Sequence, residues 1–117
     1  MAIELNRPAL KHARSLVREG RVVRDERDDW SEAAPSADDE NRFIEELGWT
    51  EFSHWHLGID RGETPETKQA YSFPFGDFRS VRRSGVISAE SRAGQHSHTE
   101  IRDELRKLLE LIDSTDD

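Results

Sequence analysis

The chain has 117 residues, of which 33% are hydrophobic and 36% charged, and its formal net charge is -8, the profile of one small domain with an economical core. It has no cysteine, which excludes disulfides and thiolate metal sites, and no apolar run approaches the roughly 18–20 residues of a membrane-spanning helix. The acidic balance argues against general binding to nucleic acid or anionic membrane. The opening MAIELNRPAL lacks the basic-then-apolar layout of a signal peptide, so the cytoplasm is the expected compartment.

In chain order, residues 1–5 read as a short extended lead that frays. Asn6 as N-cap, Pro8 in a first turn and Gly20 beyond the end predict a helix over 7–19. Its apolar stripe is Ala9, Leu10, Ala13, Leu16 and Val17. Val22 and Val23 suggest a short extended piece, and a loop anchored by Trp30 follows. Ser36 with Asp39 has the form of a capping box. It opens a helix over 37–47 that buries Phe43, Ile44 and Leu47 and ends at Gly48.

The alternation in Trp49–Asp60 predicts a strand, with Val22–Val23 or the approach to Phe73 as its partner. Thr64 and Pro65 open a short helix to Ala70. Pro74 biases Ser72–Phe73 toward extended backbone. Asp77 then caps a central helix over 78–93, whose Gly85, Ala89 and Ala93 admit close neighbours, and Gly94 ends it. Ser97 and Glu100 form a second capping box. The last helix carries Ile101, Leu105, Leu108, Leu109 and Ile112 on one face, with Leu111 off that stripe, and residues 114–117 fray. The expected fold is mainly α: one domain over 1–117, of four or five helices with a short β-hairpin or extended pair. The central helix packs on the last and first helices, and Trp49, Trp55, Phe73 and Phe75 complete the core.

Two histidine pairs, His54/His56 and His96/His98, have metal-like spacing. Residues two apart share a strand face, and a loop can present the second pair, so the four imidazoles, or three of them with an acid such as Asp77, would suit a divalent transition metal. Arg79, Arg82 and Arg83 cluster at the positive end of the central helix dipole. They need acids of this chain or an anionic partner to answer them, which makes them a candidate partner, anion or local nucleic-acid site. No catalytic motif is present: there is no G-x-S-x-G, P-loop, H-E-x-x-H or G-x-G-x-x-G.

The run Lys68-x-x-Tyr71-x-Phe73-Pro74, with Asp77, the helix over 81–93, Gln95 and a closing helix ending in Leu108–Leu109, is similar to a small helical segment of tailed-phage head-morphogenesis and prohead-protease proteins. Leu57–Asp60 fits the strand-like lead before that segment. The resemblance implies a structural or interaction module and brings no active site with it. The favoured reading is a non-enzymatic protein that binds a protein partner, or its own copy through Leu111, Ile87 or exposed tryptophans. Its rivals are a His-based metal-binding protein without other cofactor, and anion binding through Arg79–Arg83.

Overall fold

A computed structural model describes residues 2–115. The elements run β1 (Ile3–Leu5), α1 (Arg7–Arg18), β2 (Val22–Val23), a 3-10 turn at Arg27–Asp29, α2 (Trp30–Ala33), α3 (Ala37–Ser53) and β3 (His56–Asp60). A second 3-10 turn at Lys68–Ala70 leads to β4 (Tyr71–Pro74), β5 (Val81–Arg82), α4 (Arg83–Gln95) and α5 (Thr99–Ser114). The fold is mainly helical with short β elements, as expected, but with more β structure than one extended pair. β3 lies between β1 and β4, antiparallel to both, and β2 pairs in parallel with β5. Among the described residues, no helix is long and apolar enough to cross a membrane.

The core lies where α1, α4 and α5 meet the three-stranded sheet. The stripe of α1 is buried from Ala9 to Val17, as is the face of α5 made by Ile101, Leu105, Leu108 and Ile112. Trp55, Leu57, Phe73 and Phe75 fill the space between helices and strands. α4 lies along α5, with Ala89 and Ala93 buried, whereas α1 packs on α5 and the sheet. A Cβ on Gly85 would sit 2.9 Å from the Trp30 ring and 3.1 Å from the Phe75 carbonyl, so this position of α4 admits no side chain.

Several elements depart from expectation for local reasons. Ile3–Leu5 is held as a strand against Gly58–Asp60 and does not fray; the fraying expected of Met1, Asp116 and Asp117 falls outside the described residues. Asn6 occupies the N-cap of α1 but makes no cap bond. Its amide donates instead to the Ser53 and His56 carbonyls, at 2.9 and 3.0 Å, and ties α1 to the end of α3. The helix over 37–47 does break at Gly48, whose φ of 91° only glycine adopts readily, but helical turns resume through Ser53. The strand is therefore His56–Asp60 alone; the approach to Phe73 is one of its partners, as expected, and Ile3–Leu5 is the other. Leu47 is 58% exposed instead of buried, and Trp49 is half-buried against Phe52. Leu111, off the stripe of α5, packs partly against the core.

The helix expected over 64–70 reduces to the 3-10 turn, because so few residues cannot offset the cost of helix nucleation. The central helix starts at Arg83, not Phe78. Asp77 does accept from the backbone ahead of it, from Arg79 N at 3.0 Å and Ser80 N at 2.8 Å, but these bonds close a turn with Phe78 at a φ of 71°. Val81 is thereby freed to pair with Val22. The second capping box does not form. Ser97 has a φ of 61°, incompatible with the extended backbone of a capping residue, and its N–H closes α4 on the Gly94 carbonyl. α5 starts from His98 without a side-chain cap.

Candidate functional site

A groove of about 630 Å³ opens between the sheet and α4. Ile3, Ser72, Phe73 and Pro74 form its sheet side; Ser88, Ala89 and Arg92 form its helix side; Trp30, His96 and His98 complete the lining. Two glycines shape it. Gly58 in β3 lets its neighbours close over it, since a Cβ there would lie 2.5 Å from Ser72 Oγ, 2.7 Å from the Phe73 ring and 3.1 Å from Ile3. Gly85 draws Trp30 onto α4. Phe73 adopts a φ of 59°, a left-handed conformation that is costly for a bulky aromatic residue. Its ring meets His98 edge-on, 5.6 Å between centroids. The Ser72 hydroxyl is buried and has no hydrogen-bond partner among the described residues.

The four histidines occupy three environments. His54 follows the last turn of α3 and His56 begins β3, so they do not share a strand face. The His54 ring lies beside His12, 5.9 Å between centroids, with Glu51 3.7 Å from its Nδ1. His12 packs edge-on to Trp55, and its Nε2 is buried without a partner among the described residues; burial first, and His54 second, lower its pKa. His56 lies among Phe52 and Tyr71 with Nδ1 3.0 Å from the Phe52 carbonyl. Burial lowers its pKa from the ordinary 6.5 to about 4. His96 and His98 line the groove. Among the described residues, no three or more His, Asp or Glu side chains are grouped to hold a metal ion.

The arginine cluster separates as well. Arg82 Nε donates to Asp77 Oδ2 at 2.8 Å, and its terminal nitrogen lies 3.3 Å from Asp25. Burial pushes the Asp77 carboxyl up, but hydrogen bonds from Ser80, Arg82 and Arg79 outweigh it and hold the carboxyl below its usual range. Arg83 pairs with Asp113 at 2.9 Å. Arg79 is exposed beside the Phe43–Phe78 stack. The acids that the helix dipole requires thus come from this chain, and two of the three guanidinium groups are already engaged.

No protein-family model, curated protein or solved structure matches the chain. Its own geometry therefore carries the functional argument. Sequence reading singled out His96 and His98, but not Trp30, Ser72, Phe73 or Arg92 as their neighbours. Only the aromatic-proline entry Tyr71–Pro74 hinted at them, because the groove depends on a left-handed Phe73 and a sheet register that no local pattern displays.

Proposed function

We propose that this chain is a non-enzymatic interaction module, acting in the cytoplasm, that receives a segment of a partner protein in the groove between the sheet and α4. The carrying observation is the pair Ser72 and Phe73: a buried hydroxyl without a partner among the described residues beside an aromatic residue in left-handed backbone, both on the wall of the groove. An unmet polar group and local strain are costs that folds retain mainly where a ligand uses them. An aromatic-walled cleft with few polar groups is the usual form of a binding site. The absence of cysteine suits a reducing compartment, and the resemblance of the C-terminal half to a phage head-morphogenesis segment agrees with a binding role.

Filling the groove tests this reading. Ser88→Trp places an indole in the cleft from the side of α4. Cross-linking and affinity capture from cells should recover a partner with the native chain that is lost with S88W, while the thermal melt stays within a few degrees. A partner retained by S88W binds elsewhere, and the groove reading is then wrong.

A further inference from the structure

We infer that the segment taken up by this groove is acidic, carrying a carboxylate side chain next to an aromatic or large aliphatic anchor. The inference rests on the groove being the partner site. The chain has 25 Asp and Glu residues and a net charge of -8, yet none of the residues lining the groove is acidic. The single acid of α4, Glu90, is turned to Arg106 at 2.9 Å. Arg92, the one arginine of the groove lining, forms no ion pair or side-chain hydrogen bond among the described residues, unlike Arg82, Arg83 and Arg106 on and beside the same helix. In so acidic a protein, a groove guanidinium with no carboxylate partner among the described residues is available to an incoming one.

The layout gives the ligand its shape. Ser88, Arg92 and His96 follow at four-residue spacing along one face of α4 and its C-terminal cap, a row about 12 Å long at 1.5 Å per residue. An extended peptide rises about 3.3 Å per residue, so roughly four residues match the row. Arg92 offers a fork of donors suited to a carboxylate, and the imidazoles of His96 and His98 offer further N–H groups. Trp30 and Phe73 provide an apolar wall. The overall negative charge does not forbid this ligand. Screening acts over about 8 Å at physiological salt, so contacts inside an acid-free groove outweigh the distant surface. Groove-on-groove pairing of two copies is disfavoured, because it would set one Arg92 against the other.

The test uses the full chain with blocked peptides of about six residues: one with a phenylalanine between Asp and Glu, and the same peptide with Asn and Gln. Binding is read by fluorescence anisotropy and by the amide NMR signals of Phe73, Ala89 and His98. The acidic peptide should bind and move those signals. Its amide isostere should bind about 10-fold more weakly, as should the acidic peptide to Arg92→Gln, with partial recovery in Arg92→Lys. Equal binding of acidic and amide peptides, with the groove signals moving, overturns the charge inference and leaves the groove standing. Groove signals unmoved by either peptide overturn both. Phenylacetate matching the acidic peptide would replace the protein segment with a small carboxylate. An R92Q protein that melts like the native one yet binds unchanged would show that Arg92 is not the anion's partner.

Discussion

Asp25 caps a helix that begins 58 residues later in the chain: its carboxylate accepts from Ser84 N and Ser84 Oγ, both at 2.8 Å, at the first turn of α4. Arg82, in the N-cap position, has no side chain able to do so, and the acid arrives from the connection after β2. Ser84 is fully buried, so water cannot replace the bond. Asp25→Ala should therefore destabilise the protein by about 2–4 kcal/mol, combining a lost cap with an unmet buried donor. Asp25→Asn should retain a substantial part. Urea unfolding of the two variants checks the order, and a cost for Asp25→Ala below about 0.5 kcal/mol would remove the capping role.

Acid should begin to weaken the fold through a buried histidine. His56 is buried neutral, and its pKa lies near 4 instead of 6.5. The unfolded chain binds the proton first, so this stability is complete above about pH 6.5 and is lost as pH falls toward 4. The full effect is about 3 kcal/mol at 1.36 kcal/mol per unit. The lowered pKa of His12 acts in the same direction. His56→Gln should flatten much of the slope between pH 6.5 and 4 in urea melts; an unchanged slope would assign it to other groups.

Leu105 is fully buried at the seam of α5 with its neighbours. Leu105→Ala should cost about 2–5 kcal/mol, as buried leucine truncations do. A loss below about 1 kcal/mol in chemical denaturation would contradict this packing.

Gly58→Ala adds a methyl where Ser72 Oγ and the Phe73 ring lie 2.5 and 2.7 Å away. Overpacking of this kind costs about 1–3 kcal/mol. The displaced Phe73 should also reshape the groove, visible as a shift of the His98 ring signals. A native-like melt together with native-like His98 signals would show that this side of the groove yields freely.

The legible parts of this fold are those set by local periodicity and caps. The stripes of α1 and α5 and the Ser36–Asp39 capping box stand where their spacing places them. The illegible parts follow from long-range pairing. Val81 leaves a helical pattern because Val22, far away in sequence, offers a parallel partner. Asp77 makes the local bonds of a cap, yet the same bonds also close a turn. Of the candidate site, His96 and His98 were visible as a pair, but their neighbours Trp30, Ser72 and Arg92 come from three separate elements. The separation of His54 from His56 turns on whether a helix ends one residue earlier or later, which composition does not decide.

The bond from the Asn6 amide to Ser53 and His56, and that from Arg14 to Glu104 at 2.9 Å, span 47, 50 and 90 positions of the chain. During synthesis, the apolar stripe of α1 therefore stays incompletely covered until α5 has left the ribosome. Contacts of such long range slow folding and make it cooperative from end to end. Neither half should hold structure alone, whereas fragments cleaved at the exposed turn Arg61–Gly62 should reassemble when mixed, because each carries the missing face of the other's core.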